Sequence, residues 1–516
     1  MQGDDLYSDD IYKSIEYLFL AYFFSYNSIN LLLTIISFYE VRRRVISREF
    51  EDLDVAMTSP FTPPLSIIAP AYNEEISIEE SVKSFLNLQF PGIEVVIVND
   101  GSSDATLEVV KKAFNMKRID IDYLEQITTA PVRGYYESKS HLPEHIHRLI
   151  LIDKENGGKA DALNAGINAS HCPYFVSIDA DSVLDEDAIL HAFRMALDNR
   201  NIVAIGGQIA VANGCDVHNG RITTKRVPKN GLAIFQMLEY MRAFTLGRVG
   251  LARLNALLII SGAFGIFQKK FVVKVGGYLT RRVTSKIASE YTAPNADTVC
   301  EDMEIIVRMH RYIKEKKLPS KIVFTPHPLC WTEVPESIVS LWKQRDRWQR
   351  GLMETMYYHR KMIFNKKHGS IGLFALPYFL LFELLGAPVE LLGYLTLPLL
   401  FYMDNLNYSY LLMFLMVAVA YGILLSVASV VICAWPQKVA KIDGQGRSLL
   451  HFNNNHEILT LVLYGFLENL GYRQLILLSR VNGIINYCRG NKGWSKFKRK
   501  GFYSREKGLG KDAVKA

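Results

Sequence analysis

Two aspartates one residue apart, Asp179 and Asp181, close the apolar run Tyr174-Phe-Val-Ser-Ile178. On an extended chain such residues point to the same side, so both carboxylates face one place. Left alone, their mutual repulsion would raise a pKa. A divalent cation such as Mg2+ or Mn2+ relieves it and can bridge to diphosphate oxygens, stabilising a departing nucleotide. The same spacing occurs by chance on surfaces, so its place at a strand end matters. Other groups surround it in order. Asp100 ends Ile93-Glu-Val-Val-Ile-Val-Asn-Asp100 and precedes Gly101-Ser102-Ser103. A helix cap is its plain reading, although Ser102 or Ser103 already offers one. Gly157-Gly158-Lys159 can present backbone N–H groups and an ammonium to phosphate. The spacing is not that of a P-loop, which argues against an ATPase.

Glu301-Asp302 opens a helical pattern that runs to about Tyr312. Acids near a helix N-terminus are favourable without any catalysis, and a carboxylate in that position can also take a proton. Gln344, Arg347 and Trp348 fall at i, i+3 and i+4, hence on one helix face. A solvated charged face does not explain Gln and Trp held together with Arg. Trp can stack on a sugar ring, Arg can hold a diphosphate and Gln a hydroxyl.

The elements that must position these groups alternate. Leu65–Asn73 reads as a buried strand ending in a polar turn, residues 76–88 as a helix, and 93–100 as a second strand. Strand–helix alternation predicts a parallel α/β sheet, whose ligands bind at the carboxyl ends of strands. Residues 60–350 form this α/β domain. Apolar runs flank it. The first, Tyr17–Tyr39, lies within a segment 1–45, follows four aspartates and precedes Arg42-Arg43-Arg44. It is long enough to cross a bilayer, and the positive-inside rule places the α/β domain in the cytosol. The basic flank lies on the wrong side for a cleaved signal peptide, and no small-residue cleavage site follows.

Residues 351–488 hold the remaining apolar stretches. Residues 371–403 carry Pro377, Glu383, Pro388 and Glu390, which suggests an interfacial or broken helix leading into a span. Residues 409–432 form a clear span. Residues 457–487 are interrupted by Glu468, Gly471 and Arg473. Glu468 and Arg473 either line a polar path or pair at a helix break. A cytosolic tail requires an even number of C-terminal crossings. Either the last stretch is re-entrant, or 371–403 crosses twice and the last stretch once.

The chain has 516 residues and a net charge of +7. Arg489–Ala516 holds ten Lys or Arg against Glu506 and Asp512, so the remainder is near neutral. A basic tail directly after apolar helices is a cytoplasmic anchor on anionic lipid rather than a nucleic-acid site. The six cysteines have neither CxxC nor metal-ligand spacing, which suits a reducing cytosol.

In this order, Asn99-Asp100-Gly101-Ser102, Asp179-Ala180-Asp181, Glu301-Asp302 and Gln344-Arg345-Asp346-Arg347-Trp348 resemble the inverting family 2 glycosyltransferases. The resemblance is greatest to membrane-bound processive synthases of cellulose, chitin, hyaluronan and poly-N-acetylglucosamine. It covers nearly the whole chain and is most specific across 65–351. It implies a GT-A-type mixed sheet and transfer from a nucleotide sugar, with UDP expected, to a growing β-linked polysaccharide. Residue by residue, it implies that Ala71, Asn73 and Glu74 flank the nucleoside pocket and that Asp100 contacts the nucleoside. Lys159 lines the donor pocket, Asp179 contacts nucleotide or metal, and Asp181 is the main metal ligand. Ser261–Phe267, with Phe264 and Gly265, is a small-residue loop beside the acceptor. Glu301 adjoins the acceptor and Asp302 is the catalytic base, with Cys300 where the family commonly has Thr. Gln344, Arg347 and Trp348 hold donor and acceptor. The expected location is the plasma (inner) membrane, multi-pass, with accessory export or regulatory proteins as further partners. Two alternatives stand beside this reading: a single-transfer enzyme acting on a membrane lipid, and an inactive channel-forming subunit.

Overall fold

The computed structural model describes residues 2–48, 57–120, 125–403, 407–442 and 455–491. The expected basic tail therefore lies, from 492 onward, outside the described residues. Ten strands form one mixed sheet in the order β3-β4-β5-β2-β1-β6-β11-β8-β12-β7 among the described residues. They are β1 (Leu65–Ala71), β2 (Ile93–Asp100), β3 (Met116–Ile119), β4 (Val132–Ser138), β5 (Ile146–Lys154), β6 (Tyr174–Ile178), β7 (Ser182–Leu184), β8 (Ile202–Val211), β11 (Phe264–Gln268) and β12 (Lys321–Thr332). A small hairpin pairs β9 (Asp216–His218) with β10 (Arg221–Thr224).

The centre of the sheet, β5-β2-β1-β6, is parallel. Its strands are short β-branched runs, and every residue of β2 is buried, as expected of a strand covered on both faces. β11 runs antiparallel between β6 and β8, with Phe264 opposite Ile178. The start of β11 thus meets the end of β6, and the carboxyl ends of β1, β2 and β6 share one edge with the residues just before β11. Here the expected Ser261–Phe267 loop is corrected. Only Ser261–Ala263 is loop, and Phe264 begins a central strand with no exposed surface.

Four helices set the site's other walls. They are α1 (Lys159–Ala169), α2 (Gly231–Tyr240), α3 (Glu301–Glu315) and α4 (Ile338–Tyr358). The face of α2 bearing Ala233, Met237 and Leu238 forms a second apolar core, shared with Val430, Cys433 and Leu461. It therefore joins the α/β domain to the apolar helices.

The described residues hold three helical runs long and apolar enough to cross a membrane: Lys13–Arg44, Ile371–Tyr402 and Tyr408–Ala434. Tyr22 donates to the Leu381 carbonyl at 2.7 Å and Asn27 to that of Val417 at 2.9 Å, which ties the first run to the other two. The last stretch is two helices, α5 (Asn455–Leu467) and α6 (Tyr472–Cys488), broken where Gly471 takes φ 97°. At 13 residues α5 is shorter than the roughly 17–25 that a bilayer core needs, and α6, at 17, stands at the lower limit.

α6 docks along α4. Asn482 and Asn486 donate to Asp346 at 2.8 and 2.6 Å, and Arg480 donates to Gln349 at 3.1 Å. The expected alternative in which 371–403 crosses twice is not what forms, because 371–402 is one continuous helical run. Glu468 and Arg473 do not pair as side chains either. Glu468 accepts from Arg242 at 2.7 and 2.8 Å and from Ser426 at 2.7 Å, while Arg473 turns to Asn469 at 2.9 Å.

Candidate active site

The Asp179/Asp181 pair follows β6 directly. Asp181 is almost wholly buried, whereas the side chain of Asp179 keeps 27% of its surface exposed. Asp179 is therefore the open member of the pair. The first residue of α1, Lys159, reaches across to it. Its Nζ lies 2.7 Å from Asp179 Oδ1 and 2.9 Å from Glu301 Oε1, and donates to the Gly262 carbonyl at 2.8 Å. One ammonium so joins the end of β6, the start of α3 and the loop before β11. Burial alone would lower its pKa, but Asp179 and then Glu301 outweigh that and hold it above the ordinary value.

Asp302 stands beside this junction in the first turn of α3. A side chain added at Gly262 would come 3.2 Å from Lys159 Nζ and 3.5 Å from Asp302 Oδ2. Asp302 accepts from its neighbour's N–H, that of Met303, at 3.0 Å. Burial, followed by the charge of Glu301, pushes Asp302 from 3.8 up to about 6, against the pull of Lys159 and Arg248. A carboxyl with a pKa there is poised to accept a proton near neutrality.

The helix carrying Asp302 is fixed by a buried ion pair. Arg308 donates to both oxygens of Glu304, at 2.9 and 2.7 Å, and to the carbonyls of Val275 and Gly277, both at 2.7 Å. Its start rests on α4. Glu354 accepts from Thr298 Oγ1 at 2.9 Å and from the Val299 N–H at 3.0 Å. Cys300 packs its sulfur where Gly351 lacks a side chain, so its small size suits this crossing.

On the other side, Asp100 has its carboxylate turned inward. It accepts from Lys154 at 2.7 Å and from the N–H groups of Gly157 and Gly158 at 2.9 and 2.8 Å. Gly158 takes φ 87°, which a side chain would strain. Lys154, wholly buried, also reaches Asp161 at 2.7 Å. Asp100 thus fixes the glycine turn that launches Lys159. Asn73 caps the neighbouring turn, accepting from the Ser103 N–H at 2.8 Å, and the Glu74 N–H donates to Thr106 at 2.7 Å. Ala71 is buried at the end of β1.

Along α4 the five-residue signature divides by face. Arg345 and Asp346 are buried, Gln344 and Arg347 are half-buried and Trp348 is 39% exposed. Arg345 stacks over the Trp348 ring at 4.1 Å, donates to Gln344 at 3.1 Å and pairs with Glu239, which also accepts from Tyr472 at 2.9 Å.

The structure thus brings Lys159, Asp179, Glu301 and Asp302 together. Phe264 and Gly265 do not join them. Phe264 is buried in the core, and a side chain at Gly265 would meet Ile260 and Phe267. The site's edge there is Ser261-Gly262-Ala263, with the Asp179 N–H donating to the Ala263 carbonyl at 3.4 Å. Sequence reasoning missed Lys154, Arg248 and Glu239 as parts of the site. A lysine at a strand end, three residues ahead of a glycine pair, was a signal for the first. Arg248 carried none, because its role depends on a tertiary contact. It donates to the Ile260 carbonyl at 2.6 Å, and burial brings it down to about 10 while Asp302 opposes that fall.

Residues 174–427 match the family model described as glycosyl transferase family group 2, and residues 66–129 match that of glycosyl transferase family 2. The poly-beta-1,6-N-acetyl-D-glucosamine synthase of Staphylococcus epidermidis is 28% identical over 293 residues, 57% of this chain and 55% of that protein. The synthase of Staphylococcus aureus strain COL is 27% identical over 293 residues, with the same coverage. The match spans little more than half the length of these curated relatives. Among solved structures, the mannosyltransferase PcManGT from Pyrobaculum calidifontis, in complex with GDP-Man and Mn2+, superposes with a TM-score of 0.47 at 16% identity. That match covers 92% of this chain and 100% of that one. The TarS protein of S. aureus superposes with a TM-score of 0.31 at 15% identity, over 57% of this chain and 40% of that one. With its two family matches lying together across the mixed sheet, the chain belongs to glycosyltransferase family 2.

Proposed function

We propose that the chain elongates a β-linked polysaccharide from a nucleotide-sugar donor, with inversion at the anomeric carbon. The observation that carries this reading is the Lys159 ammonium, which joins the donor-side carboxylate Asp179 to Glu301, the neighbour of Asp302. Donor and acceptor chemistry thereby meet in one cleft. The printed name of the curated relatives makes UDP-N-acetylglucosamine the first donor to try.

Asp302 takes the proton of the attacking hydroxyl, which approaches the sugar from the face opposite the nucleotide. Lys159 and Arg347 offer positive charge to the diphosphate. Asp179 and Asp181 follow one strand end as hard-oxygen carboxylates that suit Mg2+ or Mn2+, Asp179 open and Asp181 buried beside it, and ion sites of this kind take further ligands from substrate phosphates. When bound, the ion would offset charge on the leaving nucleotide.

Exposed Trp348, steadied by Arg345, supplies a stacking surface for the terminal sugar of the growing chain. Trp348→Ala should weaken acceptor retention about tenfold, or about 1.4 kcal/mol. Sizing of labelled product should then show shorter chains with nucleotide release continuing, and Phe should recover part of the length. Full-length polymer from the Ala variant would remove Trp348 from the acceptor site. One added sugar on a lipid, from the wild type, would favour the single-transfer alternative.

We further propose that the chain sits in the plasma (inner) membrane with its α/β domain in the cytosol. The runs 371–402 and 408–434 then supply the even number of C-terminal crossings. A tag after Ala516 should be digested by protease only in inverted vesicles. Digestion in intact cells would reverse this topology.

A further inference from the structure

We infer that Lys159 is an internal counter-cation that holds Asp179 until the donor binds and changes partner when the donor arrives. This rests on the reading of Asp179 and Asp181 as the divalent-ion ligands. An ammonium has three protons. Those of Lys159 face three acceptors within 2.9 Å: Asp179, Glu301 and the Gly262 carbonyl. While that bridge holds, Lys159 has no proton left for a phosphate. The carboxylate it covers is also the open one, because Asp181 is buried beside it. A divalent ion that takes Asp179 must therefore do so at the expense of Lys159.

With no nucleotide present, that exchange leaves two cations close together and the ammonium short of a partner. A diphosphate changes the balance, because it offers Lys159 a new anion. The move needs little. The side chain is 28% exposed on a flexible stem, and the glycine turn behind it is already fixed by Asp100. Two consequences follow. Metal and nucleotide bind cooperatively, each strengthening the other by the same factor. Glu301 also loses its cation when the donor arrives, so the charge facing Asp302 is reset only in a loaded site.

The test is Mn2+ binding by purified full-length protein, read from the electron paramagnetic resonance of the free ion. It is made with Mn2+ alone and with UDP or GDP added. Lys159→Met should bind Mn2+ alone at least about tenfold tighter than wild type, because a charge within 3 Å of the carboxylate is gone. Its gain in Mn2+ affinity on adding nucleotide should be at least about tenfold smaller than that of wild type. Lys159→Arg, which keeps the cation, should bind Mn2+ alone as wild type does. If Lys159→Met melts early, Lys159→Gln gives the same reading. Unchanged or weaker Mn2+ binding by the neutral variants, with wild type still binding Mn2+ and nucleotide together, would overturn the inference alone. A wild type that fails to bind Mn2+ even with UDP or GDP added would overturn the donor-site reading and this inference with it.

Discussion

Asp302→Asn should lose on the order of 10²–10⁴ in transfer rate while keeping nucleotide affinity. The amide preserves shape and the hydrogen bond from Met303 but cannot take a proton. The wild-type rate should also fall with acid in a defined window. Asp302 has been pushed up to about 6, first by burial and then by Glu301. The base is ionised above that value and protonated below it. At limiting donor, where the unloaded site sets the rate, initial rates should halve near pH 6 and drop about tenfold per unit beneath it, as for any single required base. Nucleotide release measured from pH 5 to 8 checks this. A flat profile, or an Asp302→Asn variant at the wild-type rate, would move the base to Glu301 or elsewhere.

The second large effect is on stability. Arg308→Met should destabilise the α/β domain by about 3–5 kcal/mol, because Glu304 would remain buried and charged without its main partner. Lys should rescue poorly, since the guanidinium serves two carboxylate oxygens and two carbonyls at once. The double variant Glu304→Gln, Arg308→Met should recover much of the loss, because no unpaired charge is left.

The pair also sets an acid limit. Burial pushes Glu304 up, but Arg308 and His359 outweigh it and hold the carboxyl down to about 2 from its ordinary 4.5. A depressed carboxylate contributes its stability in full above about 4.5 and loses it as pH falls toward 2. Thermal melts from pH 7 to 3 check both statements. A single variant that melts with wild type would mean that the charge is relieved in another way.

The parts of the fold that local pattern dictates were legible in the sequence. β1, β2 and β6 are β-branched runs that stop at polar residues, and Gln344, Arg347 and Trp348 share the more open face of α4 because helical spacing puts them there. The break at Gly471 was visible for the same reason. What tertiary contact decides was not legible. Ser261–Phe267 is rich in small residues and read as a loop, yet from Phe264 onward it is a central antiparallel strand, because β6 and β8 offer it two ladders. Glu468 and Arg473 are close in sequence and read either as lining a polar path or as a pair at the helix break, yet Arg242 is the partner of Glu468 in space. Asp100 stands where a nucleoside contact was expected, and its carboxylate is occupied with Lys154 and the glycine turn. Nothing local could show that Lys159 would span three segments.

The proposed reaction is a single displacement at one site, with Asp302 as base. The anomeric configuration of the product tests it most directly. Membranes holding the protein should be given a ¹³C-labelled, α-linked nucleotide sugar, beginning with UDP-N-acetylglucosamine, and the polymer linkage read by nuclear magnetic resonance. The polymer should carry β linkages throughout, formed with release of one nucleoside diphosphate per sugar and about 10²–10⁴-fold more slowly with Asp302→Asn. α linkages, which mean net retention by double displacement or by attack from the nucleotide's own face, would contradict it.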